Sequence, residues 1–129
     1  MALRLSLRPH ERIIVSGAVI QNGRARTELL IENEVPVLRE PDIMSPGKVR
    51  TPCERIYLAL QLIYVDPEHS SESLATFRAL VDDVLNAAPS CRRLIEPIEE
   101  FVAAGRLYHA LKSARALLDH EKELISHVR

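Results

Sequence analysis

A chain of 129 residues, 47% of them hydrophobic, suffices for one domain, or a small lobe with a helical extension, burying roughly two-thirds of its unfolded surface. Aromatics are only 4% and Trp is absent, so the core has to be built from Leu, Ile, Val and Ala. No stretch approaches the roughly 20 apolar residues of a membrane span, and no N-terminal segment combines a basic start, an apolar run and a cleavage site, which points to the cytoplasm. The formal net charge of −1 conceals an asymmetry: residues 1–50 carry eight cations, seven of them Arg, against six carboxylates, a net of +2, which leaves −3 for the rest. Arg is the side chain that forks onto phosphate and stacks on bases. So small a difference permits a nucleic-acid site and equally suits a plain solvated surface.

Residues 1–43 read as β. Leu3, Leu5 and Leu7 alternate with Arg4, Ser6 and Arg8, the period-two pattern of a strand with one apolar and one polar face. Pro9-His10 turns the chain, Arg12–Val15 makes a second strand and Ser16-Gly17 turns it again before a third, Ala18–Gln21. Asn22-Gly23 is a hairpin signal, so a fourth strand, about residues 25–31, is expected to pair back on the third. After the polar turn Glu32-Asn33-Glu34, residues 35–39 read as a fifth strand, in which Pro36 argues for an edge or a bulge. Residues 44–50, centred on Pro46-Gly47, read as a linker.

The period then changes to that of helices. Thr51-Pro52-Cys53-Glu54 combines a capping hydroxyl, a first-turn Pro and a Glu at the third position, and Ile56, Ala59, Leu60 and Ile63 follow as an apolar stripe that Asp66-Pro67 ends. A second helix is expected over about residues 71–87, with Leu74, Phe77, Val81, Val84 and Leu85. Pro89-Ser90 opens a third, with Leu94, Ile95, Ile98, Phe101 and Val102, in which Pro97 should produce a kink unless the helix begins there. Beyond Gly105, Leu107, Leu111, Ala114, Leu118, Ile125 and Val128 keep a three-four spacing that breaks at Glu121. The expected fold class is therefore α+β: a five-stranded antiparallel sheet over residues 1–43, the linker, and three to four helices over residues 51–129.

The sequence carries no recognisable catalytic constellation. The four glycines, Gly17, Gly23, Gly47 and Gly105, form no phosphate loop, and His10, His69, His109, His120 and His127 lack metal-site spacings. Asp82-Asp83 and Glu99-Glu100 are neighbours that point about 100° apart on a helix and make no acid/base pair. Cys53 and Cys91 read as reduced core thiols. No enzyme, metal or cofactor is expected. Binding has more to stand on: Arg4, Ser6 and Arg8 project together from the first strand and Arg39 closes the fifth, so if those strands are neighbours a basic strip forms that could hold RNA. The alternative is that these arginines merely solubilise the sheet.

The stretches Leu3–Arg12, Ser16–Gly23, Val37–Ile43, Thr51-Pro52 with Arg55–Tyr64, and Gly105–Lys112 together resemble the FlbT family, flagellum biosynthesis repressors of alphaproteobacteria. The resemblance implies post-transcriptional control: binding to the untranslated leader of flagellin messages, with reduced translation and message lifetime, or activation in some members. His10 departs from the Gly usual in that family. Residues 1–43 are also similar in pattern to the carbon-storage regulators, with Glu11 opening the second strand and Val35-x-Val37-x-Arg39-Glu40 closing the fifth, although Leu38 replaces a usual His and Pro41 adds a residue. That likeness implies an RNA contact at Arg39 and a homodimer of interlocked strands. The competing expectation is a protein-binding adaptor or chaperone of flagellum assembly, acting on the message indirectly. It would use exposed Tyr57 or Tyr64 beside an apolar groove that receives a flagellar partner's helix; the two are seven apart on one helix face, a spacing that suits the edge of a core better than a binding site.

Overall fold

The computed structural model describes residues 2–127 and is α+β, as expected. The chain parts between Ile43 and Met44 into two compact units. The first holds five strands: β1 (Leu3–Leu7), β2 (Arg12–Val15), β3 (Ala18–Gln21), β4 (Thr27–Ile31) and β5 (Val37–Arg39). They form two small antiparallel sheets instead of one, a pair β1-β4 and a triplet ordered β3-β2-β5. The fifth strand is shorter than residues 35–39 because Pro36 has no N–H for the ladder. Its carbonyl accepts from Ser16 N–H at 2.9 Å instead.

The pairing differs from the sequence expectation at one turn. The two-residue hairpin with positive φ at both positions is Ser16 (50°) and Gly17 (88°), joining β2 to β3. Asn22 and Gly23 do not adopt positive φ, and β4 pairs with β1, placing Leu3 opposite Ile31 and Leu7 opposite Thr27. Asn22 uses its side chain to organise the loop: Nδ2 donates to Arg8 O at 2.8 Å and to Ala25 O at 3.0 Å, while Oδ1 accepts from Gly23 N–H. An Asx side chain that binds local backbone competes with the hairpin its sequence suggests. Leu5, Leu7 and Ile13 form the core of this unit, with Val15, Leu29, Ile31 and Val37 packed on it, while Leu3, at the open end of β1, is exposed.

The second unit contains α1 (Pro52–Val65), α2 (Ser71–Ala87), α3 (Arg92–Ala103) and α4 (Leu107–His127). Thr51 and Glu54 make the reciprocal capping box expected of them. Residues 44–50, read as a linker, are anchored to α1: the buried Gln61 accepts from Met44 N–H at 2.7 Å and donates to Met44 O at 3.0 Å. Pro97 lies inside α3, where it has no N–H to give the Arg93 carbonyl. Gly105, at φ 74°, closes α3: its N–H reaches Val102 O and that of Arg106 reaches Phe101 O. Leucine, isoleucine and valine from all four helices meet around Tyr57, Phe77, Ile95 and Leu117. On α4 the buried stripe is Ala110, Leu111, Ala114 and Leu117, with Leu118 only partly buried and Ile125 exposed; Val128 lies outside the described residues.

The break in that stripe has a structural cause. Glu121 accepts from Thr51 Oγ1 and from Cys53 N–H at 3.1 Å, so a carboxylate from α4 covers an orphan donor at the positive end of α1. Glu121→Ala is expected to cost about 1–1.5 kcal/mol, the range of a lost helix cap, with Glu121→Gln intermediate; urea melts of the three proteins check it. Burial, then the Glu121 carboxylate, pushes the Cys53 thiol up, and burial does the same for Cys91. Both stand as free, buried thiols.

Candidate nucleic-acid interface

Alternation along β1 turns Leu5 and Leu7 inward and leaves Arg4 and Ser6 on the exposed face. The register with β4 sets Leu30 beside Arg4 and Glu28 beside Ser6. Arg4 Nη1 lies 3.7 Å from Glu28 Oε1, both side chains mostly exposed. Such a pair is worth about 0–1 kcal/mol, so Glu28 holds this guanidinium only weakly.

Arg8 follows the end of β1, and Glu11 sits in the turn before β2. The Glu11 side chain is 3% exposed. Its Oε1 accepts from Arg8 N–H at 2.9 Å and lies 3.7 Å from Arg8 Nε, while Oε2 accepts from Arg39 Nη2 at 3.3 Å. The Arg8 N–H, foremost, holds this carboxyl below the usual carboxylate range against the opposing effect of burial, and Arg39 assists. Arg39 ends β5, and its Nη2 also donates to Ser6 O at 2.6 Å. β1 and β5 are not ladder neighbours, so the strip expected from their pairing is assembled differently. Arg39 spans from β5 to the main chain of β1, and Glu11 gathers Arg8 and Arg39 around one buried negative charge.

Alternation alone did not pick out one further residue of this surface, Arg26. Arg26 Nε donates to Ser6 Oγ at 3.3 Å, bringing a further guanidinium to the exposed side of β1. Arg12 pairs with Glu40, through Nε at 3.6 Å and through its N–H at 3.1 Å. Arg26 precedes β4 in an irregular stretch, where no periodicity says which way it points. Among the described residues no group of His, Cys, Asp or Glu could hold a metal ion.

A family model described as flagellar protein FlbT matches residues 3–125. The chain belongs to the FlbT family. It is 46% identical to a probable flagellum biosynthesis repressor of Bradyrhizobium diazoefficiens, over 96% of this chain and 85% of that one. It is 35% identical to the flagellum biosynthesis repressor of Caulobacter vibrioides, over 99% and 92% of the two chains, and 33% identical to a probable one of Agrobacterium fabrum, over 96% and 84%. No solved structure matches.

The FlbT match runs through both units, so it takes in the arginine cluster and the helices alike. The turn residue His10, read against a usual family Gly, has φ 62°, a left-handed conformation that a residue with Cβ adopts at a cost. On the helices, neither tyrosine is the exposed side chain that the adaptor reading called for; both lie in or at the edge of the core. Tyr57 is 2% exposed in the core with Arg115 over its ring at 5.5 Å, and Tyr64 is half-buried against Tyr108 at 5.8 Å. Seven residues is nearly two full helical turns, but α1 is enclosed on more than one side, and Tyr57 falls on the enclosed face. Among the described residues, no helix is long and apolar enough to cross a membrane.

Proposed function

We propose that this FlbT-family chain represses flagellum biosynthesis after transcription, by binding the untranslated leader of flagellin messages and lowering their translation and lifetime. The names of the relatives supply the direction, repression. The observation that carries the RNA contact is the clustering of Arg4, Arg8, Arg26 and Arg39 about Ser6 and Glu11 on a small sheet. Guanidinium groups at a sheet surface serve phosphates and unstacked bases, while main-chain groups at open edges serve base edges. Filter binding of the purified chain to a flagellin leader and to its reverse complement tests the reading. Tighter binding to the leader, weakening with salt, is expected; equal or absent binding contradicts it.

The homodimer is part of the same proposal. All four residues of the edge strand β3 are exposed, Val19 and Ile20 among them, and a short uncharged edge of this kind needs a partner or a cover. A monomer in light scattering at high concentration removes it.

A second reading has one observation in its favour. α1 and α2 border an open groove of about 460 Å³ lined by Leu58, Leu62 and Leu80, with Arg55 and Glu72 also on its walls. It fits an amphipathic partner helix carrying an acid for Arg55 and a base for Glu72, the adaptor role. Leu62→Asp would abolish that role and leave leader binding intact.

A further inference from the structure

Outside the sheet, three of the chain's five Phe and Tyr side chains gather at the start of α4. Tyr108 is 40% exposed; its ring centroid lies 5.8 Å from that of Tyr64 and 6.4 Å, edge-on, from that of His109. Lys112 Nζ stands over the Tyr108 ring at 5.7 Å. Next to it, the Arg106 guanidinium lies over Phe101 at 5.6 Å and donates to His109 Nε2 at 3.2 Å, and the Phe101 and His109 rings are 5.5 Å apart. Between Glu100 and Asp119 the sequence carries Arg106, Lys112 and Arg115 and no carboxylate. Exposed rings interleaved with cations, in an acid-free stretch, are the two components of a single-strand platform: bases stack on rings while cations take the phosphates.

We infer that Tyr108 and His109, with Arg106 and Lys112, form a second RNA site in the helical unit that stacks unpaired bases of a single strand. The ligand class is single-stranded RNA without strong sequence preference, because every base offers a π face. The two surfaces divide the work: the sheet unit takes phosphates with its arginine cluster and base edges with its open strand edges, and this one adds a stacking contribution that salt hardly weakens. The inference rests on the reading that the chain binds RNA.

The test is fluorescence anisotropy of labelled oligoadenylate with the full chain and its Tyr108→Leu, Tyr108→Phe and Lys112→Ala variants, each checked for an unchanged melt. Leu keeps the apolar bulk against Tyr64 but offers no π face. Tyr108→Leu is expected to weaken binding about tenfold with the salt slope unchanged, and Tyr108→Phe to stay within about twofold of the parent. Lys112→Ala should flatten the slope by about 0.7. Wild-type affinity in Tyr108→Leu overturns the inference, as does displacement of the oligonucleotide by polyglutamate as effectively as by unlabelled RNA. If Arg4→Ala weakens binding while Tyr108→Leu does not, this site falls and the RNA reading stands. If the parent binds neither oligoadenylate nor leader, both fall.

Discussion

Replacing Tyr57 by Ala is expected to destabilise the helical unit by about 3–5 kcal/mol, the range for deleting a buried aromatic ring. The ring is enclosed with Ile56, Leu60, Phe77 and Leu117 in the same core, and at 2% exposure nothing outside can compensate for the cavity. Tyr57→Phe removes only the hydroxyl and keeps the packing, so it should cost far less, at most about 1.5 kcal/mol. Urea denaturation followed by the helical circular dichroism signal measures both. The comparison also separates a core tyrosine from a docking one: a docking tyrosine at an exposed face would leave Tyr57→Ala nearly as stable as the parent. A loss under about 1 kcal/mol would contradict the core placement described here.

Glu11→Gln is expected to cost the sheet unit about 2–3 kcal/mol near neutral pH. Breaking one side of a buried ion pair typically costs more, but the heads of Arg8 and Arg39 reach solvent and recover part of the loss. The pH dependence fixes the cause. Because the folded state holds the Glu11 carboxyl below its unfolded value, this stability is fully present above about pH 4.3 and disappears as pH falls through the folded value. The parent and Glu11→Gln should therefore differ at neutral pH and converge in strong acid. Glu54, lowered first by the Arg50 N–H, adds an acid sensitivity of the same sign in the other unit. It is common to both proteins and cancels in the difference. A gap that persists unchanged at low pH would show that the charge is not what Glu11 contributes.

The helices were legible because their signals are local. Thr51-Pro52-Cys53-Glu54 specifies a cap whatever it packs against, and the second helix lies over residues 71–87 as its apolar spacing requires. Strand positions were legible for the same reason, but strand partners were not. Asn22-Gly23 carries a hairpin signal, yet the Asn22 side chain is taken by Arg8 and Ala25 carbonyls, and the hairpin forms at Ser16-Gly17. Glu121 looked like a fault in an apolar stripe because its partner is some seventy positions earlier in the sequence, at the start of α1. In the candidate interface, alternation was enough for Arg4 and Ser6. Arg26 and Glu11 depend on how loops return to β1 and β2, and no periodicity encodes that.

The geometry also changes how the interface has to be tested. Arg39 bonds Ser6 O and Glu11, so Arg39→Ala mixes stability with binding, whereas Arg4, Arg8 and Arg26 present mostly exposed heads, and Arg8 keeps its main-chain bond to Glu11 when its side chain is removed. The decisive measurement is the salt dependence of flagellin-leader binding by the parent, by the Arg4→Ala/Arg8→Ala/Arg26→Ala triple variant, and by Arg92→Ala in the helical unit as control. Three lost phosphate contacts should flatten the slope by about 2, at roughly 0.7 each on a single strand, while Arg92→Ala leaves it unchanged. An unaltered slope in the triple variant, with binding abolished by Arg92→Ala, would contradict the account and make the sheet a scaffold for a function carried by the helices.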